Sequence, residues 1–319
     1  MKKILSMFML GMIFSLAAAG CSAAPQVAAQ PTVRATEVPT AEPLEVTDGL
    51  GRVVTLAGTP QQIISLAPSA TEILYAVGAG AQMAGRDSFS NYPEEAKALA
   101  DVGGSMGNYS YEVITSLTPD LVVAAEINTT EQVKALEDLG LTVYYIANPS
   151  SLEDLYGILE TIGMITGNSD TSAALVESLK ARVEVVVEKT RIVSFSPAVF
   201  YELDGSEPSR PWTAGPGTFI DMLIGMAGGR NVGGVLSGSW AQMSAEELLV
   251  QNPKIILLGD AAYGTTAEQV AARAGWNTID AVKEGRIYAF NDDTVSRPGP
   301  RLVDALEELS KLIHPELYP

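Results

Sequence analysis

The sequence predicts an α/β protein of two similar lobes with mostly parallel sheets, joined by one long helix. Three observations carry that prediction. A motif that reads as a capped helix, a proline stop and a buried strand occurs twice, in the same order. Strands alternate with helices along the chain, and such alternation builds parallel sheets with helices on their faces. Between the two copies, Asp170 to Thr190 contains neither Gly nor Pro and reads as one helix of about twenty residues, long enough to span on the order of 30 Å. The run Val185-Val186-Val187 near its end is poor helix-forming sequence, because β-branched side chains are stiff at χ1.

Taken in order, the chain opens Met1-Lys2-Lys3 and then runs apolar from Ile4 to Gly20. A short basic start followed by an apolar stretch ending in small residues is a secretory signal. No later apolar run is long enough to cross a bilayer. Ala18-Ala19-Gly20-Cys21 resembles a bacterial lipoprotein processing box, with Ala18 where Leu is usual; Cys21 is the expected site of lipidation. Cys21 is also the only Cys in the sequence, so no disulfide framework exists. Residues 22–45 are rich in Ala, Pro, Thr, Gln and Val and read as a disordered tether, with too little apolar surface to offset chain entropy. The organisation expected is a signal peptide at 1–20, the lipidated Cys and tether at 21–45, a first lobe at 46–166, the connecting helix at 167–190 and a second lobe at 191–319. The protein is expected outside the cytoplasm, held to the membrane by its lipid anchor alone.

Within the lobes, Ser110-Tyr111-Glu112 leads through Leu117 and Pro119 to Leu121-Val122-Val123. Ser244-Ala245-Glu246 leads in identical register through Pro253 to Ile255-Ile256-Leu257. Each Ser is a good helix N-cap and each Glu sits in the first turn, where the helix dipole favours an anion. Each Pro ends its helix, and each apolar triplet reads as a buried parallel strand. A second pair aligns Ile64-Ser65-Leu66-Ala67-Pro68 with Val193-Ser194-Phe195-Ser196-Pro197 at a similar shift. Ser69-Ala70-Thr71-Glu72 has the form of a capping box for a helix that ends at Gly78. Thr218 is placed to cap a helix through Ile220, Leu223 and Met226 that stops at Gly228-Gly229.

Several chemistries are missing. The only His, His314, stands near the C-terminus and reads as a surface residue. Without another His there is no Ser-His-Asp triad, Cys-His pair or His-based metal site. No phosphate-binding or dinucleotide glycine loop occurs in strand-to-helix context. The net charge of −18 argues against nucleic acid and against electrostatic binding to anionic lipid. Nothing supports an enzyme. A secreted hydrolase using two of the 38 acidic residues is the alternative from another class, and an adhesin is a third.

The loops carry a resemblance. Ile63 to Glu72, Asp87-Ser88-Phe89-Ser90-Asn91-Tyr92-Pro93, Pro211-Trp212-Thr213-Ala214-Gly215, Ser239-Trp240-Ala241-Gln242 and Ser296-Arg297-Pro298-Gly299-Pro300-Arg301 stand in this order. Together they resemble the class III substrate-binding proteins of ABC importers, whose lobes are joined by one backbone helix. The branch most similar is the one that binds cobalamin. The resemblance implies a ligand cleft between the lobes, with Phe89, Trp212 and Trp240 contacting a corrin from opposite sides and Arg297 as a basic residue at the cleft. Where that branch carries a further Trp, this sequence has Gly103-Gly104-Ser105-Met106-Gly107, with Tyr109 or Tyr111 as replacements. It also implies that Glu112 and Glu246 dock onto Arg residues of a dimeric permease served by ATPase subunits. No cofactor is expected; the ligand implied is a cobalt corrinoid, or an iron chelate in the alternative of a ferric siderophore or haem receptor. The missing cleft His weighs against haem, although Tyr can ligate iron. A receptor for a free transition metal would favour several His ligands.

Overall fold

The computed structural model describes residues 43–105 and 107–318. The signal segment, Cys21 and the tether as far as residue 42 lie outside them, as does Met106.

Two parallel sheets form the frame. The first places Ala100–Asp101, Met83–Arg86, Ile63–Ser65, Leu121–Ala125 and Val143–Ile146 side by side, in that order. The second places Arg230–Asn231, Ala198–Glu202, Ile255–Leu258 and Ile287–Ala289 likewise. The repeated motif falls where the sequence puts it. Tyr111–Ser116 and Ala245–Gln251 are helices, capped by the Ser110 and Ser244 hydroxyls accepting from the backbone N–H three residues on. The strand after each is buried at every position and pairs with the strand that opens its sheet.

The other proposed repeat is corrected. Val193–Pro197 forms no strand, and the true counterpart of Ile63–Ser65 is Ala198–Glu202, which occupies the matching place in its sheet. Ala198-Val199-Phe200-Tyr201-Glu202 is buried throughout, whereas Phe195 is exposed. Pro197 has no N–H for a ladder and contributes only its carbonyl, which accepts from Arg230 at 2.9 Å. The capping box at Ser69 is corrected too. Its helix begins two residues earlier than a Ser69 cap would set it, at Pro68, with no side-chain cap. Pro is pre-organised for the first helical position, which places Ser69 and Glu72 inside the helix. His314 is buried rather than superficial. It ends the last helix, where its ring bonds Glu316 and the Gly228 carbonyl.

The helix Ser169–Thr190, at 22 residues roughly 33 Å long, joins the two sheets in the chain. It packs on the first-lobe helix Leu152–Ile165 and on the second-lobe helices Leu302–Ile313 and Phe219–Met226. It runs through the three valines because Val186 is buried while Val185 and Val187 face outward. Each sheet has an outer core of its own, around Ile114, Val122 and Leu136 in one lobe and Phe200, Leu248 and Trp276 in the other. The inner faces instead share one continuous core, from Ile63, Ile73 and Leu159 through Val176 and Leu179 to Val199, Leu306 and Ile313.

Separating the lobes would expose that shared core to water, at roughly 25 cal/mol for each Å² of apolar surface. Little closure on ligand binding is therefore expected. Scattering curves of the free and loaded protein should superimpose, and a large drop in radius of gyration on loading would show that the connecting helix bends.

Candidate functional site

Ligands of parallel α/β sheets bind in the crevice beyond the carboxyl ends of the strands. Here those ends from both sheets border one cleft. A cavity of about 460 Å³ is lined from the first lobe by Ala67, Pro68, Ile127 and Asn148, and from the second by Leu203, Phe219, Trp240 and Arg297. A second cavity of about 450 Å³ adjoins it in the first lobe, sharing Pro68 and Ile127, with Phe89 and Tyr109 on its walls.

Phe89 is 55% exposed on a turn built by a buried carboxylate. Asp87 accepts from the Ser90 hydroxyl and, at 2.9 Å, from the Phe89 backbone N–H. Burial pushes the Asp87 pKa up, against the lowering effect of those hydrogen bonds.

Trp212 and Trp240 lie on one antiparallel ribbon, Trp212–Ala214 against Trp240–Gln242. Trp212 is opposite Gln242 and Trp240 opposite Ala214, so period two sets both indoles on the same face as diagonal neighbours. They are 40% and 42% exposed. Trp240 leans on Phe219, ring centroids 5.7 Å apart, and lines the cleft cavity; Trp212 stands beside it on the ribbon and lines neither cavity. The ribbon closes tightly at Gly215, where a Cβ would collide with the Gly238 carbonyl, so no larger residue fits.

Arg297 borders the cleft, but its guanidinium is engaged. It donates to Asn91 at 2.7 Å and pairs with Asp293 at 2.8 Å and Glu72 at 3.3 Å. Arg301 holds the same Glu72 in a fork, at 2.7 and 2.5 Å, and lies 4.3 Å from the centre of the Tyr92 ring. Glu72 is buried on the first lobe and both arginines come from the second, so this cluster ties the lobes together behind the cleft.

Of the two candidate tyrosines, Tyr109 has its ring in the first-lobe cavity and its hydroxyl committed. The hydroxyl donates to the Leu66 carbonyl at 2.7 Å and accepts from Asn128 at 2.7 Å, and burial pushes its pKa up to about 12. Tyr111 packs against the outer core of the first lobe and lines neither cavity. Glu112 and Glu246 are exposed in the first turns of their capped helices and form no ion pair among the described residues.

Sequence reasoning missed Ile127, Asn148 and the partner of Arg297. The available signal was an apolar residue inside the polar turn Glu126-Ile127-Asn128-Thr129. Glu72 gave a misleading one, because it suits a capping box.

A larger cavity of about 660 Å³ lies at the rear, between Tyr75, Tyr92, Leu179 and Arg182. It is away from the strand ends, and its arginines are held by Glu72, Asp304 and Glu307. Among the described residues, no group of three or more His, Cys, Asp or Glu is placed to hold a metal ion. No helix among them is long and apolar enough to cross a membrane. The exposed aromatic rings are the groups suited to hold a large ligand.

Comparison with known proteins agrees with this architecture. An uncharacterized ABC transporter substrate-binding lipoprotein of Bacillus subtilis is 33% identical over 279 residues, covering 86% of this chain and 87% of its own. The solved structure of a possible iron-binding (periplasmic solute-binding) protein of Staphylococcus epidermidis is 30% identical at a TM-score of 0.69, covering 80% of this chain and 99% of that one. The periplasmic vitamin B12-binding protein of Vibrio cholerae is 27% identical at a TM-score of 0.69, covering 82% and 99%. The family model described as periplasmic binding protein matches residues 63–294, which takes in both sheets, the connecting helix and the cleft lining as far as Trp240, and this chain belongs to that family.

Proposed function

We propose that the protein is the extracytoplasmic receptor of an ABC importer, which captures cobalamin or a related corrinoid in the inter-lobe cleft and delivers it unchanged to the permease. The observation that carries this reading is the exposure of aromatic rings from both lobes at the cleft, Phe89 on the first-lobe cavity and Trp240 on the inter-lobe one, with Trp212 beside Trp240 on its ribbon. Large rings left in water by the fold suit a broad, flat, partly apolar ligand. The vitamin B12-binding relative supports the ligand class. The iron-binding relative supports the second reading, a ferric siderophore or haem. Retention at the membrane is proposed through a lipid on Cys21, supported by its place directly after the apolar leader. The partner proposed is a two-fold permease with its ATPase subunits.

Tryptophan fluorescence tests the ligand. Cobalamin or cobinamide should quench it, and the coloured ligand should be recovered unaltered. Trp240→Ala should weaken binding by about 1–3 kcal/mol, the range of a buried interface aromatic. Quenching by a ferric siderophore or haem and by neither corrinoid would establish the second reading. Turnover of a glycoside panel would show an enzyme.

A further inference from the structure

Ile127 stands in the tight turn between the strand Leu121–Ala125 and the helix Thr130–Asp138, a turn closed by the Asn128 N–H donating to the Ala125 carbonyl at 2.7 Å. Turns of this kind favour Gly, Asn, Asp, Ser and Pro, each for a backbone reason that a β-branched apolar residue does not share. Ile127 is 73% exposed, so it contributes little to the core. It is nevertheless the residue, with Pro68, that lines both cleft cavities.

The turn that carries it is fixed. Asn128 is buried; its Oδ1 accepts from the Ala125 N–H at 2.9 Å. Its Nδ2 donates to the Leu66 carbonyl at 3.3 Å and to the Tyr109 hydroxyl at 2.7 Å. Three segments at the cleft edge of the first lobe thus meet at one amide, and they hold a bare hydrocarbon side chain toward the cleft. Fixed apolar groups with no folding role suit recognition, because little entropy is lost when a ligand packs on them.

Resting on the cleft as the ligand site, we propose that Ile127 is a further ligand-contacting residue that determines specificity, and that Asn128 is a positioning residue acting through it. Ile127 forms an apolar ridge between the two cavities. It selects a ligand whose surface there is hydrocarbon, such as the methyl-bearing edge of a large ring, and disfavours one presenting carboxylates or hydroxyls.

The test measures affinity for cobinamide and for haemin by tryptophan quenching, with thermal unfolding recorded for every variant and Trp240→Ala as a control for the cleft. Ile127→Asp should weaken binding of the probe that wild type holds by about tenfold or more, through an unpaired charge set against an apolar ligand face. Ile127→Leu should bind nearly as wild type does. Asn128→Ala should weaken binding several-fold in the wild-type background and add nothing in Ile127→Ala, the non-additivity expected of a residue that acts through another. Should Asn128→Ala fail to fold, Asn128→Asp replaces it in the same cycle, because it keeps the Ala125 contact and loses both donors. Equal losses in the two backgrounds would overturn the positioning role. Loss of affinity in Trp240→Ala but not in Ile127→Asp would leave the cleft reading standing and overturn this inference. If wild type bound neither probe, the ligand reading would fail and this inference with it.

Discussion

Replacing both Glu112 and Glu246 by alanine is expected to abolish import while leaving ligand affinity and stability nearly unchanged. Both carboxylates are exposed, occupy the same register of the repeated motif, and sit in the first turn of a helix capped by Ser110 or Ser244. Neither finds a partner within the chain among the described residues. The helix dipole alone accounts for a first-turn acid worth about 0.3–1 kcal/mol. It does not account for one unpaired acid on each lobe at matching positions. A pair of like charges on two quasi-equivalent lobes suits a partner that is itself two-fold, and such charges govern specificity and association rate. Each single variant should be impaired less than the double. Uptake of labelled ligand and calorimetric titration decide between outcomes. Unchanged uptake in the double variant would leave the dipole as sufficient explanation, and lost ligand affinity would mean that the glutamates face the cleft.

Glu72→Ala is expected to lower stability by about 3–5 kcal/mol, the penalty for leaving buried charge uncompensated. The variant strands Arg301, whose fork closes on Glu72 and whose side chain is only 12% exposed, while Arg297 keeps Asp293 and Asn91. Arg182→Ala is the contrast. Arg182 pairs with Asp304 and Glu307 at comparable distances, but these groups are 32–48% open to solvent, and such pairs are worth about 0–1 kcal/mol. Denaturant unfolding of the two variants should separate them clearly. Equal losses would show that the Glu72 cluster is no drier than the surface pair. A double change of Glu72 and Arg301 to Met should recover much of the loss, because well-packed apolar groups replace buried ion pairs at little cost.

The parts of the fold legible in the sequence were those set by local rules. Ser110 and Ser244 cap, Pro119 and Pro253 stop, and the apolar triplets that follow are buried strands, because each step depends on residues a few positions apart. The unbroken run through Thr190 is a helix for the same reason. Where local pattern and tertiary pairing conflict, local pattern fails. Val193–Pro197 imitates the opening strand, yet the sheet takes the next five residues, which can be buried on both faces. Glu72 suits a capping box but is drawn to arginines 225 and 229 positions away. Loop context pointed to Phe89 and Trp240, which do line the cavities, and to Trp212, which stands beside Trp240 and lines neither. Ile127 was not, because a single apolar residue in a turn shows its purpose only when the cavities on both sides of it are seen.

The shared inner core, the connecting helix and the Glu72 cluster also bear on supply and demand at the membrane. A receptor whose lobes keep one spacing presents Glu112 and Glu246 in the same geometry whether it is empty or carrying cargo. On the docking reading, a permease that recognises those two charges cannot turn away an empty receptor by their separation. Empty receptors then queue for the same landing place as full ones. Import would rise with receptor abundance only while ligand keeps pace; beyond that, surplus copies would obstruct it. For a rigid receptor of a scarce ligand, copy number matters to transport as much as affinity does.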